Sequence, residues 1–200
     1  MDLTTLAPQA TELNNDHVTL VPISLAHAAD YLAIGSDPGI WTYMTAATLE
    51  TIDDAKSWVE SRTAYCEQTR SVAFSVFDKA SGRLAGSSTC MTVPTAHAAL
   101  EIGYTWYGAD FRRTHVNTAT KLVLLGHAFD ELQANRVEFQ TDVRNTASQK
   151  ALERIGAVRE GVLRQNRTYP DGFVRDSALY SIIRDEWPDV MPRIRRLLVR

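Results

Sequence analysis

Apolar and polar residues first alternate in residues 17–23 (HVTLVPI), and the β-branched content predicts a strand there. Ser24 is placed to cap a short helix that stops at Gly35. The stretch that follows, SDPGIWTYMTAATLET, is irregular and carries Pro38 and Gly39. From Asp53 to about Thr69 the period is helical, with Ala55, Trp58, Val59, Arg62 and Cys66 near one face. Three strands follow in a row. In residues 71–78, Val72, Phe74 and Val76 oppose Ala73, Ser75 and Phe77; after a turn from Lys79 to Gly82 come RLAGSSTCMTV and then ALEIGYTWY (99–107). The helical period returns from Asn117 to Leu132, with Leu122, Leu125, Phe129 and Leu132 at core spacing. RVEFQTDV (136–143) predicts a strand, and Asn145 caps a helix that Gly156 ends. VREGVLRQNRTY and FVRDSALYSII flank Pro170-Asp171-Gly172 as a closing hairpin, and WPDVMPRIRRLLVR is a tail with some helical character.

The resulting order, β-α-α-β-β-β-α-β-α-β-β, excludes a doubly wound dinucleotide fold, in which helices alternate with strands throughout. It predicts an α+β domain. The 200 residues divide into an arm (1–16), one domain (17–190) and a basic tail (191–200). Hydrophobic residues make up 44% and charged residues 22%, which suits a globular chain that buries its own core. A net charge of −3 gives no general signal for nucleic acid. Cys66 and Cys90 have neither framework nor metal spacing and read as reduced thiols of a cytosolic protein. No stretch has the apolar length to span a bilayer, and residues 1–16 lack the basic start and apolar block of a signal peptide, so a cytoplasmic location is expected.

The succession EIGYTW, RVEFQTDVRNTASQKALERIGAVREGVLRQ and RDSALYSII, in that order, resembles the GNAT superfamily of acyl-CoA N-acyltransferases. The motifs look most like the branch that holds the bacterial ribosomal-protein N-terminal acetyltransferases. The resemblance implies a mixed, mostly antiparallel sheet of about seven strands, flanked by helices and with a splayed central strand pair. It also implies acetyl-CoA as donor, no metal, a primary amine as acceptor (a protein N-terminus or a small molecule), and a homodimer, which is common in that branch. A non-catalytic acyl-CoA-binding or protein-interaction module of the same fold is the alternative.

A loop that feeds a helix N-terminus gathers unpaired backbone N–H groups at the positive end of the helix dipole, which suits a pyrophosphate. In the family this loop reads Gln or Arg, two residues, Gly, one residue, then Gly or Ala. Here the six positions are Arg112, Arg113, Thr114, His115, Val116 and Asn117. Arg112 matches, whereas His115 and Asn117 replace the two small residues. Asn145 and Ser148 match the Asn and small residues that open the last helix of the family, and the branch implies that Ser148 helps the thiol leave. Many members carry a Tyr acid seven residues after that Asn; here the position is Leu152.

Glu101 matches the family's general base by its distance before the loop, and reads equally as a half-exposed strand residue paired to a nearby Arg. Side-chain alternation puts Glu101, Gly103 and Thr105 on one face of the strand, open toward the cleft. In the ribosomal branch the base is a Glu on the penultimate strand, and the matching residue here is Arg167. Backbone N–H groups near Gly103 to Trp106 are expected along the donor's arm, which makes Tyr104 and Trp106 candidate donor contacts as well as core. Trp41, Tyr43 and Met44 lie in the segment that walls the acceptor site in the family, and serve equally well as cover for the core. The histidines share no spacing with the cysteines, so no zinc site is expected. The basic tail reads as a terminal helix face rather than a nucleic-acid site.

Overall fold

The computed structural model describes residues 8–44, 46, 48–93, 97–169 and 171–199. Eight strands form one sheet in the order β1-β2-β3-β4-β5-β6-β8-β7. They are β1 (Leu13–Asn14), β2 (Val18–Pro22), β3 (Val72–Asp78), β4 (Leu84–Thr92), β5 (Ala99–Tyr107), β6 (Arg136–Asp142), β7 (Val158–Thr168) and β8 (Val174–Ile183). Every neighbouring pair is antiparallel except β5 and β6. Five helices flank the sheet: α1 (Ala28–Gly35), α2 (Ile52–Thr69), α3 (Val116–Gly126), α4 (Thr146–Ile155) and α5 (Trp187–Leu198).

The local signals explain where the helices begin and end. Ser24 accepts from Ala26 N–H and caps a 3₁₀ turn (Leu25–His27) that leads into α1. Helix α2 starts at Ile52, one residue before the expected Asp53, because Thr51 and Asp54 form a reciprocal capping box. Asn145 caps α4 by accepting from Ser148 N–H at 3.0 Å, and Gly156 closes it in the left-handed region at φ 106°. The helical run to Leu132 does not continue as one α-helix, since α3 passes into a π turn at His127–Glu131. The closing hairpin turns through Asp171, which accepts from Phe173 N–H at 3.0 Å, and Gly172 at φ 84°; Pro170 lies outside the described residues.

Strand β3 is buried on both faces, so its alternation sorts residues between two cores. Val72, Phe74 and Val76 join a core with Leu124 and Leu125 of α3 and Ile194 of α5. On the other face Tyr31, Trp41, Trp58 and Trp106 form an aromatic cluster beneath α1 and α2.

Both chain ends depart from the expected arm and tail. Leu13 and Asn14 pair with Leu20 and Thr19, which adds an eighth strand; residues 1–7 of the expected arm lie outside the described residues. The expected basic tail is the second half of α5, whose Val190 and Ile194 are buried. Trp187 stacks on Phe129 with centroids 5.4 Å apart and donates from its indole nitrogen to Asp130 at 2.8 Å. Arg193 donates to the carbonyls of Arg154 and Glu153, both at 2.9 Å, and so satisfies the C-terminal end of α4. Arg195 and Arg196 stay exposed, which explains why this face read as a tail, while Arg200 lies outside the described residues.

Candidate active site

Strands β5 and β6 pair over three residues only, Ala99↔Arg136, Leu100↔Val137 and Glu101↔Glu138. Beyond Glu101 the two strands part, although β5 keeps pairing with β4 to Tyr107 and β6 keeps pairing with β8 to Asp142. The result is a wedge in the middle of the sheet, edged by backbone groups that have no ladder partner across the gap. Because β5 and β6 are parallel, the N-termini of α3 and α4 both follow the ends that border the mouth of the wedge.

A bulge shapes the β5 side. The register with β4 shifts between Ser87 and Thr89, and Tyr104 takes φ 47°, a conformation side chains normally avoid. The alternation expected for Glu101, Gly103 and Thr105 therefore breaks. Glu101, Gly103 and Tyr104 face α2, whereas Thr105 faces α3 and meets Lys121. Gly103 lets two flexible side chains close over β5: a Cβ there would stand 2.6 Å from Met91 Cε and 3.2 Å from Glu101 Oε1, and would displace both tips.

The Glu101 side chain is 13% exposed at the last rung before the wedge. Burial raises its carboxyl above the usual range, Glu138 adds to the rise, and Arg167 and Arg175 oppose it. Gln140 of β6 donates to Glu101 Oε2 at 3.4 Å, and Arg167 Nη2 stands 3.9 Å from Oε1. Arg167 also donates to the Tyr104 hydroxyl at 3.3 Å. The position where the ribosomal branch has its Glu thus holds a cation beside Glu101. The remaining wall is α2: the Arg62 guanidinium lies 4.3 Å from the Tyr104 ring centroid and 4.7 Å from that of Tyr65. One Arg62 nitrogen is buried without a hydrogen-bond partner.

At the mouth, α3 opens on Val116. The Val116 amide is occupied by Thr114 Oγ1 at 3.3 Å, and Ala119 N–H donates to His115 C=O at 2.9 Å, which starts the helical ladder. Helix geometry leaves the Asn117 and Thr118 amides free of intrahelical partners. Arg112 is held by Asp37 at 3.1 Å and donates to Tyr107 C=O at 3.3 Å. Arg113, not His115, occupies the left-handed position of the loop, at φ 62°. His115 has an ordinary φ of −67° and sits 3.0 Å from Asp78 Oδ1, so glycine is not required there. We expect His115→Gly to cost about 0.5–1.5 kcal/mol of stability from that lost contact, without weakening CoA binding. Paired thermal melts and calorimetric titrations check this; loss of CoA binding would make His115 itself a donor ligand. Arg154, in the last turn of α4, donates to Thr118 Oγ1 at 2.9 Å and ties the end of that helix to the start of α3.

Two expected site residues belong to the core. Trp41 is 5% exposed, donates from its indole nitrogen to Gly35 C=O at 2.7 Å, and packs on Trp106. Its side chain therefore cannot wall an acceptor site. Trp106 is 4% exposed within the same cluster, so only its backbone is available to a donor. Met44 packs half-buried against that core. Tyr43 instead faces Arg144, whose guanidinium also lies over Phe173 at 4.0 Å and pairs with Asp142 at 2.7 Å. Ser148 lies half-buried in the first turn of α4, and Leu152 is buried. No pattern in the sequence points to Arg62, Tyr65, Gln140 or Lys121 as site residues. Lys121 in particular hides in a helix whose apolar spacing draws attention to its neighbours. Among the described residues, no group of three His, Cys, Asp or Glu is placed to hold a metal ion, and no helix is long and apolar enough to cross a membrane.

Known proteins carry the same architecture. A crystal structure described as a "putative acetyltransferase" from T. thermophilus superposes with a TM-score of 0.87 at 35% identity, covering 96% of this chain and 98% of that one. RimJ of Mycobacterium smegmatis, crystallised with CoA-disulfide, shares the fold at a TM-score of 0.76 and 23% identity, over 94% and 93% of the two chains. "Putative ribosomal N-acetyltransferase YdaF" of Bacillus subtilis is 34% identical over 106 residues, which is 53% of this chain and 57% of that protein. The sequence profile described as "Acetyltransferase (GNAT) domain" matches residues 17–158, a span that runs from β2 through the wedge and both helix starts to the first residue of β7. With its parallel pair parted at Glu101 and that profile laid across it, this chain belongs to the GNAT acetyltransferase family.

Proposed function

We propose that the protein transfers an acetyl group from acetyl-CoA to a primary amine by direct attack, with Glu101 as general base. The observation that carries this reading is the buried carboxylate at the last rung of the parted strands. Bound acetyl-CoA supplies a thioester, an acetyl carbon already activated toward an amine. The chain's own groups fit such a ligand. The free amides of the α3 start and the charges of Arg112 and Arg113 suit a pyrophosphate, and the unpaired edges of the wedge suit an amide-bearing arm. Asn145 and Ser148 border the same mouth from α4.

Glu101 faces α2, so the acceptor enters from that side, past Tyr65, Tyr104 and Arg167. There the carboxylate takes the amine's proton directly or through one water. A protein N-terminus is one candidate acceptor, in keeping with the ribosomal N-acetyltransferase of the YdaF relative's name; a small amine is the other. A cytoplasmic homodimer fits the same branch. The second reading, a binding module without turnover, draws on Leu152, a buried apolar side chain where many members have a Tyr acid.

Release of free thiol from acetyl-CoA, measured against N-terminal peptides and small amines, decides between the two. Turnover with any of them supports the enzyme; none across the panel, with CoA bound, supports the module. CoA at about 100 times its Kd should stabilise the fold by about 2.7 kcal/mol, and an unchanged melting temperature at saturation would remove the donor assignment. Arg112→Ala and Arg113→Ala should each weaken CoA by about 1 kcal/mol, a charge-assisted contact discounted for solvent exposure.

A further inference from the structure

Lys121 is a charge-bearing side chain on the wrong face for a solvated residue. It is 5% exposed on α3, and among the described residues no carboxylate forms an ion pair with it. Its Nζ donates to Thr105 Oγ1 at 3.2 Å and stands 5.4 Å from the Phe139 ring centroid. Thr105 is held in turn by Ser88, with the two hydroxyls 2.7 Å apart. An unpaired buried ammonium is costly, and a leucine or methionine would fill the space at no such cost.

The two contacts say where the amine is. Thr105 belongs to β5 and Phe139 to β6, both beyond the last shared rung at Glu101↔Glu138. The Lys121 nitrogen therefore lies beneath the gap between the parted strands, on the α3 side. Glu101 borders the same gap on the α2 side. The bulge at Tyr104 creates this arrangement, because it turns Thr105 away from the Glu101 face.

We propose that Lys121 is a catalytic acid, which donates its proton to the sulfur that leaves when the acetyl group is transferred. This role rests on the acetyl-CoA reading above. In the step, the acceptor nitrogen forms a bond to the acetyl carbon and the carbon–sulfur bond breaks, its electron pair going to sulfur. The proton lost by the acceptor goes to Glu101, and the Lys121 ammonium gives a proton to sulfur, so that free CoA thiol leaves. Glu101 then releases its proton to solvent and Lys121 takes one up, which resets both groups.

The surroundings of Lys121 suit the exchange. Burial pushes the amine down to about 7, and the Cys90 thiol is the titratable neighbour that acts on it. Cys90 faces it from β4, and burial holds that thiol up at about 12, hence neutral. β5 and β6 present the uncharged Thr105 and Phe139.

The test compares wild type with Lys121→Met, an unbranched side chain one heavy atom shorter that carries no proton to give. With acetyl-CoA and the best amine, Lys121→Met should lose about 10²–10³-fold in kcat with little change in KM for acetyl-CoA. A second readout needs no turnover: the thiol of bound CoA, followed by thiolate absorbance, should titrate lower in wild type than in Lys121→Met. Binding of desulfo-CoA should show no such difference. In wild type labelled with ¹³Cε-lysine, one resonance should titrate near neutrality rather than at roughly 10.4. Unchanged kcat together with an unchanged thiol titration in Lys121→Met overturns the role. If Lys121→Met does not fold, a wild-type bound thiol that titrates like free CoA overturns it. Failure of wild type to bind CoA at all would instead sink the acetyl-CoA reading and this role with it, an outcome the melts identify.

Discussion

Glu101→Gln should lower kcat by roughly 10²–10⁴-fold, the usual contribution of a positioned base, and leave CoA affinity almost unchanged. Burial is the first cause of the raised Glu101 carboxyl, with Glu138 adding and Arg167 opposing. The wild-type rate should therefore fall as pH drops through a value above the ordinary carboxylate range, and this acidic limb should vanish in Glu101→Gln. The stability consequence has the opposite sign. A carboxyl whose pKa is raised in the folded state favours the fold while protonated and loses that contribution as pH rises through the folded value. At neutral pH the wild type thus carries the cost of a buried carboxylate. Glu101→Gln should melt at the same temperature or higher, which separates lost chemistry from lost structure. Wild-type turnover by the variant at neutral pH would show that another group is the base.

Trp41→Ala should cost about 3–5 kcal/mol of folding stability, the range for a buried tryptophan cut to a methyl. The indole lies between Trp58 and Trp106, with centroids 6.3 and 5.0 Å away, and its N–H is bound to Gly35 C=O. Truncation removes two aromatic contacts, leaves the Gly35 carbonyl with only the longer 3.3 Å bond from Leu49 N–H, and opens space beside the Leu49 side chain, which packs close to Gly35. Chemical denaturation reads the loss directly. If the residue walled the acceptor site, the same change would raise KM for the amine and leave the denaturation midpoint in place.

The strands, helix caps and order of elements were legible because each has a local cause. Period-two runs, the Asn145 cap and Gly156 act within a few residues. Glu101 and the loop from Arg112 to Asn117 could be placed through the resemblance, since they occupy fixed steps along one strand and the turn after it. Two kinds of fact were hidden. The first is a backbone event: the φ of 47° at Tyr104 has no sequence signal, because tyrosine normally avoids it, and it reverses the facing of Thr105. The second is partnership across the sheet. Arg167 beside Glu101, Gln140 across the wedge, and His115 with Asp78 join residues far apart in the chain. Trp41 misled for a related reason, since an irregular segment rich in aromatics looks the same whether it plugs a core or greets a ligand. The arginines of the last segment disguised the buried stripe of Val190 and Ile194 in α5.

The three-rung ladder between β5 and β6 has a consequence for how the molecule holds together. Mechanically the sheet is two panels, β1 to β5 and β6 to β8, riveted at one corner and backed by α3 and α5. A ligand that filled the wedge would supply the missing rivets, so donor capture, as proposed above, would draw on the same seam as cooperative folding. Substitutions that loosen either panel, even at its outer edge, should then show first as a weaker grip on CoA and only later as loss of the fold.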